Sequence, residues 1–362
     1  MDELPQNRLT AAFERRVARA LAPHLAEGEP VVVACSGGPD SSATLVAVAR
    51  TLRGHGEVTA AVFDHRLRPS AEIAADIAAV ESLAQRLRVR FATARAARVP
   101  IDSEAAAREA RYRWLAKACK AAGAARCVTG HTMDDQAETV LLRLARGTGV
   151  GGAGGMATAS GWPVSGRGPL PGLLRPLLDV RRAEVERYLE SLGVEARVDA
   201  TNALPMYARN RVRQQAVPAL ASVNPRATEA IARFAELARR DDAALTAIAQ
   251  TALASLALWD GGGGVALDRR GMRALPEAVA SRILAAAAGT VGLTLDASQT
   301  AAMLLALRRA GSRVALPGGE AVTTATALRI EGRLPHGRRF RLGAHSGRDG
   351  HEDSLRDTPG NA

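Results

Sequence analysis

"VVVACSGGPDSSATLVAVAR", residues 31–50, sets an apolar β-branched run against two glycines and then a periodic alanine-rich stretch. A strand that stops, turns on glycine and restarts as a helix aims the helix's first free N–H groups at the turn. Such a turn is an anion site, and phosphate is the first anion to expect there. Ser36-Gly37-Gly38-Pro39-Asp40-Ser41 has no lysine, so it is not a GxxxxGK[ST] loop, and it also lacks GxGxxG spacing. Backbone donors, the helix dipole and Mg²⁺ must then neutralise the phosphate, with Asp40 as the metal contact.

Outward from this turn the chain alternates strand and helix. The pattern predicts strands at 31–35, 58–65, 89–94 and 126–130. It predicts helices at 41–53, 71–88, 103–122 and 133–146. Short β-branched runs spaced by helices imply an α/β fold, a parallel sheet covered on both faces. Ligands bind such sheets beyond the carboxyl ends of the strands, which would gather the 36–42 turn, Asp64-His65 and Gly130-His131. Residues 147–172 read as a long Gly/Pro-rich loop. Its Gly149–Gly154 stretch matches GxGxxG but follows a helix rather than a strand, so it reads as a flexible loop. Structure resumes at 173–180, and 181–192 reads as a charged amphipathic helix.

Beyond about 215 the texture becomes alanine- and leucine-rich helix. The expected boundaries are 1–217 for the nucleotide-binding domain and 218–311 for a helical second domain. A short β-like C-terminal segment follows at 312–335, then a disordered tail at 336–362. No internal repeat is visible.

The net charge of +11, from 48 Lys and Arg against 37 Asp and Glu, points to a polyanionic partner such as RNA. Aromatics are only 3% of the chain, which argues against an extended base-stacking platform and for phosphate contacts by arginine. No apolar run reaches the roughly 18–20 residues a membrane span needs, and the N-terminus has no apolar h-region, so neither a span nor a secretory signal is expected. Cys35, Cys119 and Cys127 show no C-x-x-C pair or metal-ligand spacing, which suits reduced core thiols in a cytoplasmic protein.

A second constellation lies in "GHTMDDQAETVLLRLARGTG", residues 130–149. Met133, Ala137, Val140, Leu141 and Leu144 recur at helical spacing as a buried face. Asp135 and Glu138, three apart, share another face and can converge on one cation. Asp134 and Asp135 could instead simply complement the helix dipole behind a Thr132 cap, which leaves His131 and Glu138 unexplained. Arg209 and Arg213 share a helical face while Arg211 points away, and arginines so placed suit a nucleic-acid backbone.

The SGGPDS string resembles the signature of the PP-loop ATPases. That likeness implies a Rossmann-like, adenine nucleotide alpha hydrolase-like sheet and ATP cleaved between its α and β phosphates. Seven pieces in order then narrow the resemblance to the tRNA(Ile)-lysidine synthetase family. They are SGGPDS (36–41), DHRLRPSAEIAADIAAV (64–80), EAAAREARYRWL (104–115), GHTMDDQAETVLLRLARGTGVGGAGGM (130–156), LLRPLLDVRRAEVERYLESLGV (173–194), VDATN (198–202) and RNRVRQQAVPAL (209–220). Similarity is weak from about 225 onward. The family usually carries proline and serine where this chain has Ala200 and Thr201, and glycine where it has Arg66.

The resemblance implies a ligase acting on an isoleucine tRNA with a CAU anticodon. ATP adenylates the C2 oxygen of the wobble cytidine. The side-chain amine of lysine then displaces AMP, giving lysidine and changing the codon read from AUG to AUA. On this reading Ser36, Gly37, Gly38, Pro39, Asp40 and Ser41 hold diphosphate, with Mg²⁺ on Asp40. His131 and Arg146 lie on the α-phosphate side, Arg113 or Arg111 neutralises phosphate charge, and Asp135 with Glu138 receives the lysine ammonium. Arg209 and Arg213 grip the RNA, and a homodimer is the default the resemblance suggests. The rival readings are a PP-loop tRNA thiolase, which needs cysteines this chain does not pair, and amidating NAD or GMP synthetases, for which a +11 charge has no use. A non-catalytic basic RNA-binding module is a third, against which the intact motifs argue.

Overall fold

Val31, Val33 and Cys35 point to one face of the first strand and Val32 to the other, and all four are buried. A strand buried on both sides must lie at the centre of a covered sheet, and this one does. The computed structural model describes residues 4–66, 70–97, 104–166, 168–197, 208–258 and 264–332. The VDATN segment at 198–202, with Ala200 and Thr201, and the tail from 336 lie outside the described residues.

The chain divides into two compact units, Met1–Asp242 and Ala243–Ala362. In the first, α1 (Arg8–Leu21) precedes β1 (Val31–Cys35), α2 (Pro39–Thr51), β2 (Val58–Asp64), α3 (Ser70–Leu87) and β3 (Arg90–Arg95). Next come α4 (Glu104–Ala121), β4 (Arg126–Thr129), α5 (Met133–Ala145), α6 (Val150–Ala153), β5 (Ala159–Ser160), β6 (Gly172–Leu174) and α7 (Arg182–Ser191). Then α8 (Ala208–Arg211) runs through a π-helical turn at Val212–Ala216 into α9 (Val217–Val223), and α10 (Ala227–Leu256) follows.

The strands form a sheet in the order β3-β2-β1-β4-β6-β5, parallel throughout except for β5. The expected α/β fold class is therefore what the chain adopts. One face packs on α1, α2 and α7 through Phe13, Leu45, Val48, Tyr188 and Leu189. The other packs on α4 through Tyr112, Leu115 and Cys119. Strand order reverses at β1, between β2 and β4, and the crevice at the carboxyl ends there is the place for a ligand.

The second unit carries a five-stranded antiparallel sheet. Its strands are β7 (Ala257–Leu258), β8 (Val265–Asp268), β9 (Arg313–Leu316), β10 (Gly319–Thr323) and β11 (Ala327–Gly332), in the order β7-β8-β11-β10-β9. Between β8 and β9 lie α11 (Arg269–Ala274), α12 (Glu277–Thr290) and α13 (Ala297–Ala306). Ile283, Leu284, Met303, Leu328 and Ile330 close this unit's core.

Three expectations change here. The stretch 218–311 is not helical throughout, because β7 and β8 pair and β8 joins β11. The boundary between units falls inside α10 at Asp242, whereas Pro218 lies within the first unit. The residues just beyond Pro218 belong there because Glu229 pairs with Arg181 at 2.6 Å and Arg239 donates to the Met156 carbonyl at 2.7 Å. The 147–172 stretch is also less free than expected. It holds α6 and β5, and Gln136 and Arg143 on α5 bond its backbone at Met156, Gly152 and Gly155. No helix among the described residues is long and apolar enough to cross a membrane.

Candidate active site

The phosphate turn has the shape its sequence predicts. Gly37 adopts φ +84°, and a Cβ there would sit 3.0 Å from Asp76 Cβ, so only glycine fits. Gly38 caps α2 without a side-chain bond and Pro39 opens the helix, which leaves its first N–H groups for a ligand. Ser41 Oγ accepts from Ser36 N at 3.1 Å and donates to Gly38 O at 3.0 Å, closing the loop on itself. At the neighbouring strand end, a Cβ on Gly130 would lie 2.6 Å from the Asp40 carbonyl, so glycine lets β4 meet α2 closely. Arg66, where the resemblance leads one to expect glycine, is held at φ +60° with its N–H on Asp64 Oδ1 at 2.6 Å. The position is thus left-handed, a conformation that favours glycine.

Thr132 and Asp135 form a capping box at the start of α5, with Asp135 Oδ2 accepting from Thr132 N at 2.9 Å and Thr132 Oγ1 at 3.1 Å. Capping does not exhaust Asp135, because its Oδ1 faces Arg209 at 3.0 Å, Arg182 at 3.1 Å and Arg213 at 3.5 Å. Glu138, only 2% exposed, takes Arg213 at 2.6 Å and Arg209 at 2.8 Å. Arg182 also bonds Asp40 Oδ2 at 3.2 Å. Three guanidinium groups and three carboxylates therefore form one network running from the phosphate turn to α5.

The buried face of α5 differs from the apolar stripe its spacing suggests. Asp135, Gln136 and Glu138 are buried, whereas Leu144 is 46% exposed. Ion pairs make burial of the carboxylates affordable, and periodicity alone cannot register them.

Charge states follow from these surroundings. Burial pushes the Asp40 carboxyl up to about 6, against the pull of Arg182. Burial would also raise Asp135, but Arg209 and Arg182 overcome it and hold that carboxyl below its usual range. His131, bonded to Thr129 Oγ1 at 2.8 Å, is pushed down to about 3 by burial, outweighing Asp135 and helped by Arg175, Arg209 and Arg111. The ring is therefore neutral near pH 7 and a weak proton acceptor. An unfolded histidine titrates near 6.5, so the unfolded chain binds the extra proton between about 6.5 and about 3. Stability is lost as pH falls through that window. Urea midpoints of the wild-type chain are expected to drop more steeply from pH 7 to 5 than those of His131→Gln, and equal slopes would contradict this charge state.

Two expected neighbours are not brought in. Arg146 follows the last residue of the thirteen-residue α5, roughly 20 Å along the axis from the His131 end, and is exposed. Arg113 is exposed and pairs with Glu109 on its own helix at 2.6 Å. Arg111 turns inward instead, over the Tyr112 ring at 5.3 Å, where burial lowers its pKa. The three cysteines are buried free thiols, and burial pushes Cys35 up to about 12, which removes it as a nucleophile.

Arg182 was not among the residues that motif spacing singled out. A signal was present: Arg181 and Arg182 open α7, where the helix dipole disfavours cations, so a helix starting this way needs carboxylate partners. For a metal, the fit rests on Asp40. Its Oδ1 is buried without a hydrogen-bond partner, the kind of oxygen a cation satisfies. Among the described residues no group of three or more His, Cys, Asp or Glu could hold a metal. Asp40 is thus the residue that would hold a divalent cation beside the turn, where it would neutralise phosphate charge.

Residues 9–220 match the family described as PP-loop domain. The tRNA(Ile)-lysidine synthase of Methylobacterium nodulans is 44% identical over 284 residues, covering 77% of this chain and 79% of that protein. That of Thermobifida fusca is 41% identical over 323 residues, covering 85% and 93%. Among solved structures, the U34-tRNA thiolase NcsA from Methanococcus maripaludis superposes with a TM-score of 0.53 at 14% identity, covering 64% of this chain and 79% of that one. At that identity the likeness speaks for the fold alone.

Proposed function

The chain belongs to the tRNA(Ile)-lysidine synthase family of PP-loop proteins, and from that membership we infer the reaction and the residues that carry it. It ligates lysine to C2 of the wobble cytidine of a CAU-anticodon isoleucine tRNA through an adenylated tRNA, with ATP cleaved to AMP and diphosphate. The observation that carries the site assignment is the single charge network joining Asp40 to Asp135 and Glu138.

In the first step the cytidine C2 oxygen attacks the α-phosphorus of ATP and diphosphate leaves. Ser36, Gly37, Gly38, Pro39 and Ser41 present the turn and the N-terminus of α2 to that diphosphate, where N–H donors and the helix dipole meet its charge. Mg²⁺ held by Asp40 would supply further neutralisation when bound. Arg111, in place of Arg113, is the arginine we assign to phosphate charge, because its charge acts on His131 while Arg113 pairs with Glu109.

In the second step the lysine side-chain amine attacks C2 and AMP leaves. Asp135 and Glu138 receive the lysine ammonium, and proximity then does much of the rest. The incoming ammonium competes with Arg209 and Arg213, which hold these carboxylates in the ligand-free chain. His131 is pushed down by burial and Asp135 is held low by Arg209 and Arg182, which makes both weak acceptors for the amine's proton.

Arg209 and Arg213, about one-third exposed, lie within reach of an RNA backbone as well as of α5. The second unit, from Ala243 onward, is assigned to the rest of the tRNA, and the chain to the cytoplasm as a homodimer. Sedimentation checks the dimer. For the RNA contacts, log K for tRNA should fall linearly with log[salt]. Replacing Arg209 and Arg213 by glutamine should flatten that slope by about one to two units. An unchanged slope assigns both arginines to holding Glu138 and Asp135 alone.

The overall reading is tested by incubating the protein with tRNA, ATP and labelled lysine. Label should enter the RNA as AMP and diphosphate appear in equal amounts. A folded protein that cleaves ATP without labelling the RNA would overturn it.

A further inference from the structure

We propose that Arg182 is a positioning residue for both half-reactions, its guanidinium fixing which oxygen of Asp40 and of Asp135 is presented to the ligand. The proposal rests on the lysidine-synthase reading of this site. Nε of Arg182 bonds Asp40 Oδ2 at 3.2 Å, and Nη2 lies 3.2 Å from the same oxygen. That fork ties one oxygen of Asp40 and leaves Oδ1 buried and unpartnered, the oxygen assigned above to a cation. Nη2 also reaches Asp135 Oδ1 at 3.1 Å, while Asp135 Oδ2 is committed to the α5 capping box. Nη1 lies 3.9 Å from Glu138. One planar group therefore sits between the phosphate-turn carboxylate and both carboxylates assigned to lysine.

The anchoring of Arg182 supports this role. Its backbone N–H is held by Asp134 Oδ2 at 2.8 Å, and Arg181 beside it pairs with Asp134 and with Glu229. The start of α7 is thus fixed before the Arg182 side chain extends, and that side chain is 25% exposed. With Nη2 3.2 Å from Asp40 Oδ2 and 3.1 Å from Asp135 Oδ1, the guanidinium stands between the two carboxylates and holds both in place. A lysine there could neutralise one partner as a point charge. It could not fork onto Asp40 and reach Asp135 in the same plane.

The test compares Arg182→Gln and Arg182→Lys with Asp40→Asn and Glu138→Gln in the full chain. Each protein is read by equilibrium binding of ATP at graded Mg²⁺ and by lysine half-saturation against adenylated tRNA. Arg182→Gln is expected to raise the Mg²⁺ needed for half-maximal ATP binding, and the lysine half-saturation, each by about tenfold. Asp40→Asn should move only the first and Glu138→Gln only the second. Arg182→Lys should restore one of the two at most. Unchanged Mg²⁺ and lysine dependence in folded Arg182→Gln, with only the maximal rate or the melting temperature lowered, would overturn the proposal. Full restoration of both by Arg182→Lys would also overturn it. If Arg182→Gln does not fold, Arg182→Lys decides alone, since bridging requires at least one shift. A wild-type chain that uses no lysine removes the substrate reading instead, and the ATP-binding arm still decides what Arg182 does for Asp40.

Discussion

Asp40→Ala is expected to fold and to bind tRNA, yet to form adenylated tRNA at least about a hundredfold more slowly than the wild type. The turn around it has no lysine, so the proposed assignment leaves the diphosphate's charge to backbone donors, the α2 dipole and a cation that Asp40 would hold. Its Oδ1 is buried without a partner, and burial pushes the carboxyl up to about 6. A carboxylate so placed is held against its own preference, as functional groups often are. Folding favours its protonated form, so its contribution to stability is present below about pH 4 and lost as pH rises through about 6. Near neutral pH the Ala variant should therefore melt no lower than the wild type by more than the lost Arg182 pair explains. Normal diphosphate release by the variant would remove Asp40 from the chemistry.

Glu138→Gln should separate the second step from the first. Adenylated tRNA should still accumulate without lysine, while the lysine half-saturation rises about a hundredfold or more. Removing one member of a desolvated charge pair costs about 3–5 kcal/mol, and tenfold in binding corresponds to about 1.4 kcal/mol. Glu138 is also where Arg209 and Arg213 are fixed, so the ligand-free variant should melt at a lower temperature. A chase of the adenylated tRNA with graded lysine makes the measurement. Unaltered lysine dependence together with the lower melting temperature would leave Glu138 a structural anchor for the two arginines.

Much of this site could be read from the sequence because its decisive features are local. A β-branched run, two glycines and a periodic stretch specify β1, the turn and α2 within twenty residues, and the Thr132–Asp135 capping box spans one helical turn. The parallel sheet followed from repeating that pattern. What spacing could not show is what the polar groups on α5 face. Leu144 reads as core, and no spacing pairs Glu138 with the arginines, more than seventy residues away, that fold onto it. Arg182 lies 142 residues from Asp40 in sequence, and only its awkward place at a helix N-terminus hinted at the carboxylates it serves. The strands β7 and β8 were missed for a similar reason, since short strands become visible only through their pairing with β11 and with each other.

The most direct measurement supplies purified adenylated tRNA, made by the wild-type enzyme, to Asp40→Ala together with lysine. If the phosphate turn serves adenylation and the α5 carboxylates serve lysine, the variant should release AMP and form lysidine within about threefold of the wild-type rate. A variant that stalls on adenylated tRNA as completely as it stalls on ATP would contradict that division of the site.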